Sequence, residues 1–231
     1  MKNNIQNAVD NSLAVWEKWN ALGYSARIDI LSRLAKKLDK EAQQMIEFQC
    51  NNALQEVSET LLMPGPTGET NELYCAGRGV FVVSADADLP ASVIVGQISA
   101  ALVTGNTVVL CFPDNNALKS SELSAQLLAA GCPKDVVEYV NYEDFKEILK
   151  NEKTAGLAYA GQLKTSQRLA RLLAEREGLL AQLIVECDCI TLPVIACPAY
   201  ILRFVTEKTR SINITAIGGN AKLLELGGGD V

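Results

Sequence analysis

Histidine is absent from all 231 residues, and with it goes the side chain that most often moves a proton near neutral pH. Ser-His and Cys-His nucleophile systems are therefore excluded, and any chemistry has to come from carboxylates, lysines or thiolates. Proline is sparse, at seven, and no low-complexity tract interrupts the chain, which argues against disorder. No apolar run is long enough to span a bilayer, so no membrane partner is expected. The N-terminal stretch MKNNIQNAVDN lacks the apolar core of a secretory leader. The cytoplasm is the expected compartment, with the seven cysteines as free thiols. Basic charge is also short: 21 Lys and Arg face 27 Asp and Glu, a net charge of −6. A nucleic-acid partner is not expected, because such proteins concentrate Lys and Arg on one face.

What is present, 48% hydrophobic and 21% charged residues, suits a protein with a sizeable core. Residues 5 to 62 read as helices. The first is amphipathic, with Val9, Leu13, Trp16, Trp19 and Leu22. Segment 25 to 39 places Ile28, Leu31, Leu34 and Leu38 on one helical face. The run Pro64-Gly65-Pro66-Thr67-Gly68 cannot continue a helix. From Gly79 onward short apolar runs (Val80 to Ser84, Thr107 to Cys111, Val136 to Val140, Leu157 to Ala160, Leu183 to Glu186) alternate with helical stretches at 91–103, 117–130, 143–152 and 165–177. Strands with little polar alternation, separated by helices, predict a doubly wound Rossmann-like parallel sheet covered on both faces.

In such sheets a ligand sits beyond the carboxyl ends of the strands. The places to look are Ser84 to Pro90, Cys111 to Asp114, Gly161 to Leu163 and Glu186 to Cys189. No GxGxxG follows the first strand. Cys187 and Cys189 share one strand face, and Cys111, Cys132 or Cys197 could approach them, but a CxC without histidine or a second paired motif is a weak metal signal. The cysteines are read as small buried hydrophobes and no metal site is expected. Near the end, Tyr200 to Val205 and Ser211 to Thr215 flank the polar Glu207-Lys208-Thr209 and read as a β-hairpin. An isolated hairpin is marginal in water and should pair with something, a second copy of the chain being the simplest candidate.

Three blocks carry a resemblance to a known family. Gly79-Val-Phe-Val-Val-Ser84, Asp88-Leu-Pro90 and Gly96 to Leu110 resemble the cofactor domain of aldehyde dehydrogenases. Around them, Trp16 to Leu38 is similar to the family's N-terminal helices, Gly156 to Gly161 to its pyrophosphate-side strand and turn, and Leu183 to Glu186 to its glutamate strand. More narrowly, Pro64 to Leu73 and Arg210 to Ala221 resemble proline utilization A enzymes, above all their catalytically inactive aldehyde-dehydrogenase-like C-terminal domain, which packs against the active glutamate-semialdehyde dehydrogenase module. The resemblance implies a fold of N-terminal helices (1–63), a Rossmann-like α/β domain (64–198) and a β-hairpin oligomerisation flap with its tail (199–231), all one compact unit. It also implies roles: Glu186 at the general-base position, Asp88 at the oxyanion position, and Ser84, Asp114, Gly161 and Gln162 on the cofactor side.

The departures from the family are equally informative. Its catalytic domain, bearing the cysteine nucleophile, lies between the glutamate strand and the final hairpin. Here only Cys187 to Ala199 separates them, too short for such a domain. At Asp88 the family has an asparagine that donates to the oxyanion, and a carboxylate would repel the developing charge. Cys111 stands where a lysine is usual, Gln162 replaces a small hydroxyl residue, and Cys187-Asp188 replaces a glycine pair, all unfavourable for a phosphate that needs small residues and exposed amides. The expectation is a non-catalytic domain with an assembly role, inactive alone, with no cofactor required and NAD the one the family would admit. Its expected partners are its own twin in a homodimer or the dehydrogenase module of proline utilization A. The interface would be built by Tyr200, Leu202, Phe204, Ile212 and Ile214. The alternatives are an NAD-dependent dehydrogenase module active only with a catalytic partner, and a dinucleotide-binding regulatory module.

Overall fold

A computed structural model of the chain describes residues 2–213. It begins with three helices, α1 (Lys2–Ala21), α2 (Tyr24–Ala35) and α3 (Lys40–Glu56). The start of α3 is set by Asp39, whose carboxylate accepts from the Ala42 N–H at 2.9 Å and so satisfies one of the donors a helix leaves unpaired there. The α2 face expected from spacing is the one used: Leu31 and Leu34 are buried, and Ile28 and Leu38 pack against the same core.

Beyond α3 come two strands that precede the main sheet, β1 (Leu61–Met63) and β2 (Glu69–Gly77). The main sheet is built from β3 (Val80–Ala85), β4 (Thr107–Leu110), β5 (Val137–Tyr139), β6 (Thr154–Ala160) and β7 (Gln182–Glu186), in the order β5-β4-β3-β6-β7 with every pair parallel. The connecting helices are α4 (Ala91–Val103), α5 (Ser120–Ala129), α6 (Phe145–Leu149) and α7 (Leu163–Ala174). Strand side chains alternate between the two faces. Phe81, Val83, Val108 and Ala158 join the core formed with α2 to α5, while Val80, Val82, Val109 and Leu157 join Ile5 and Val9 of α1, Ile148 of α6 and Leu169 of α7. Burial on both faces explains the unbroken apolar runs. Helix α4 lies between α3 and the sheet and has every residue but Ser92 buried.

The chain winds from β3 outward to β4 and β5, then returns across to β6 and β7. The reversal falls between β3 and β6, where a doubly wound sheet opens its crevice.

The C-terminal region is antiparallel, as expected, but with a different partner. Tyr200 to Phe204 is not a strand: Pro198–Phe204 forms 3₁₀ turns, and β8 (Val205–Asn213) runs straight through Glu207-Lys208-Thr209. Its partner is β2, register Leu73↔Thr209, and β1 pairs on the far side of β2. The reason is packing. Phe204 sits 5.1 Å from the Phe81 ring and 5.0 Å from the Tyr200 ring, which turns the segment into the core. The polar triplet marks solvent exposure along a projecting ribbon instead of a reversal. At the ribbon's root Asn106 ties the pieces together. Its Oδ1 accepts from the Arg78 and Gly79 N–H groups, and its Nδ2 donates to the Ala101 and Phe204 carbonyls.

Candidate functional site

The carboxyl ends of β3, β6 and β7 bring several sequence-predicted residues together. In register, Ser84 faces Tyr159, Ala85 faces Ala160, and Ala160 faces Glu186. Ser84 is fully buried, and its hydroxyl has no partner among the described residues. Gly161 has φ +150°, open to glycine at no steric cost. Gln162 is the exposed residue preceding α7, and its amide is the first donor of that helix terminus.

Glu186 is 2% exposed, a carboxylate in the protein interior. Burial of a charge is costly unless it is hydrogen-bonded, and three backbone donors meet that need. The Asp188 N–H reaches Oε1 at 3.1 Å, while the Val194 and Ile195 N–H groups reach Oε2 at 2.8 and 3.0 Å. The carboxylate thus organises the connection that follows it. Residues 187–197 form a strap across the sheet edge, pinned again where the Gln49 amide donates to the Ile195 carbonyl at 2.7 Å. Ile195 is fully buried against α4, so close that a Cβ on Gly96 would lie 2.7 Å from it. Asp188 holds the strap's first turn by accepting from the Ile190 and Thr191 N–H groups and from the Thr191 hydroxyl, interactions that lower its pKa, the hydroxyl contributing most.

Asp88 lies exposed in the β3–α4 loop with φ +62°, and its Oδ1 accepts from the Asn115 side chain at 3.2 Å. Asp114 stands apart from the crevice, on a cleft of about 480 Å³ at the ends of β4 and β5, lined also by Ser120, Tyr139, Asn141 and Tyr142. The cysteines divide by environment. Cys50, Cys111 and Cys132 are buried, with thiols pushed up to about 12 mainly by desolvation, whereas Cys187 and Cys197 are exposed on the strap. Among the described residues no three His, Cys, Asp or Glu side chains group as metal ligands.

One crevice residue had not been singled out from the sequence. Asp86, between Ser84 and Asp88, turns inward and accepts from the Tyr159 hydroxyl at 2.6 Å and from the Gln162 N–H at 2.9 Å. Its partners are 73 and 76 residues away, so only the sheet topology reveals them.

The interface residues expected from sequence separate. Tyr200 and Phe204 are 2% and 0% exposed and belong to the core, because the Phe204 ring packs against Phe81 and the Tyr200 ring packs edge-on against Phe204. Leu202 and Ile212 are exposed. Ile214 lies outside the described residues.

A family model described as "Aldehyde dehydrogenase family" matches residues 63–195, more than half of the chain, and the chain belongs to that family. It is 30% identical over 155 residues to 1-pyrroline-5-carboxylate dehydrogenase 1 of Halalkalibacterium halodurans, covering 64% of this chain and 28% of that protein. It is 24% identical over 200 residues to the bifunctional protein PutA of Escherichia coli, covering 79% of this chain and 15% of that one. Among solved structures, a variant of proline utilization A from Bradyrhizobium japonicum superposes with a TM-score of 0.74 at 25% identity, covering 81% of this chain and 22% of the other. The chain thus spans well under half the length of these relatives. No helix among the described residues is long and apolar enough to cross a membrane.

Proposed function

We propose that this chain is a non-catalytic aldehyde-dehydrogenase-like domain with an assembly role beside the 1-pyrroline-5-carboxylate (glutamate semialdehyde) dehydrogenase of proline catabolism. The strap carries this reading. Where the family places its nucleophile-bearing domain, residues 187–197 pass directly back to the core, and the carboxylate at the general-base position spends its lone pairs on their amides. A carboxylate held by three backbone donors is poorly available to activate water. The likeness to 1-pyrroline-5-carboxylate dehydrogenase and to proline utilization A supports the association with proline catabolism.

The surface offered for assembly is the ribbon of β1, β2 and β8. Among the described residues β1 and β8 are the outer strands of this ribbon, and an outer strand is the arrangement that recruits another chain. Leu61 and Met63 share one face with Leu73, and Leu62 shares the other with Ile212, leaving apolar side chains in solvent on both sides. The occupant is a second copy or the dehydrogenase module of a proline utilization A protein.

Purified chain offered glutamate semialdehyde and NAD should produce no NADH, and should cosediment with itself or with a 1-pyrroline-5-carboxylate dehydrogenase. NADH formation above a no-protein control would refute the non-catalytic reading. A chain that stays monomeric and ignores the dehydrogenase would refute the assembly role.

A further inference from the structure

The dinucleotide crevice of a doubly wound sheet lies where the winding reverses, here between β3 and β6. A helix that begins at this point presents free amides and the positive end of its dipole, which together draw in phosphate. In this chain the offer is already taken up from within. The Asp86 carboxylate accepts from the Gln162 N–H at the start of α7 through Oδ2 and from the Tyr159 hydroxyl through Oδ1, while its own N–H donates to the Ala160 carbonyl at 2.8 Å. The fit is tight: a Cβ on Gly161 would come within 2.4 Å of Asp86 Oδ2 and 2.5 Å of the Tyr159 hydroxyl. Burial, reinforced by the carboxylate, holds the Tyr159 phenol well above its ordinary pKa, so it stays a donor.

A pyrophosphate entering here would have to displace a carboxylate with two hydrogen bonds and then lie beside its charge, with Asp88 exposed two residues further along the same loop. The residues present do not fit the cofactor that the fold family implies. We propose that Asp86 is a built-in anion that occupies the place of a dinucleotide pyrophosphate and closes the crevice to such ligands, while leaving the underlying glycine turn and helix terminus intact. The inference stands on the crevice alone and is independent of what the ribbon binds.

The same geometry says how to reopen the site. Asp86→Ser removes the charge and shortens the side chain; Asp86→Asn removes the charge and keeps the shape. In calorimetric titrations with NAD, wild-type protein should show a dissociation constant weaker than about 1 mM, and Asp86→Ser should bind at least about tenfold tighter, with Asp86→Asn in between. Micromolar binding by wild type would overturn the proposal. So would folded Asp86→Ser and Asp86→Asn proteins, checked by circular dichroism, that bind no better than wild type. Amide hydrogen exchange on the unaltered chain gives a second decision should both variants fail to fold. The Gln162 N–H should be protected at least about tenfold relative to the amides of the exposed loop at Asn115, and unprotected exchange at Gln162 would equally sink the idea.

Discussion

The parallel sheet and the antiparallel ribbon treat their polar groups in opposite ways. At the sheet's carboxyl edge Glu186, Asp86 and Asp188 each spend their oxygens on nearby backbone donors or hydroxyls of the same chain. On the ribbon, β1 is exposed along its length and β8 beyond its first residues, and these are its two outer strands among the described residues. The end of the fold that receives ligands in doubly wound proteins is turned inward, and the projecting part is left open. This distribution is the one the proposed assembly role would use.

Cutting the strap loose should damage the fold most. Glu186→Ala leaves three backbone donors without their charged acceptor in a buried site and should cost roughly 3 kcal/mol of stability in urea unfolding, with Glu186→Gln losing less because one oxygen remains. An unchanged midpoint for Glu186→Ala would mean that the strap is held by its apolar contacts alone. The ribbon should respond in the reverse sense. Leu62 is 76% exposed, so Leu62→Asp should shift the stability of the isolated chain by no more than about 0.5 kcal/mol while weakening any association by at least about tenfold in sedimentation. Loss of stability without loss of association would reassign Leu62 to the fold.

The smallest effect tests accessibility at the sheet edge. Alkylation at pH 8 followed by peptide mass spectrometry should label Cys187 and Cys197 of the strap and spare Cys50, Cys111 and Cys132, whose thiolates form only as the pH approaches about 12. Rapid labelling of Cys111 would show that the sheet edge opens readily.

The parallel sheet was legible because strands buried on both faces must be apolar throughout: Val80 to Ser84 and Thr107 to Cys111 announce themselves, as does the helix at 91–103. The ribbon was not, because exposure to water on both sides removes the alternation that identifies a strand. Glu207-Lys208-Thr209 then looks like a turn although it lies mid-strand. Strand β2, half-buried for most of its length, likewise lacks a clean alternation. Asp86 posed a different difficulty. Three acidic or small residues after a strand read alike, and whether a carboxylate turns inward depends on a tyrosine and an amide brought alongside by a crossover. Glu186 was placed by resemblance, yet its engagement with the strap follows from where residues 188–195 fold back.

Asn106 gives the ribbon a mechanical character. One amide side chain grips the entry to β3, the end of α4 and the turn leading into β8. Load applied at the ribbon's tip is therefore delivered to the middle of the molecule, and a protein that grasps the tip takes hold of the whole body as if by a handle.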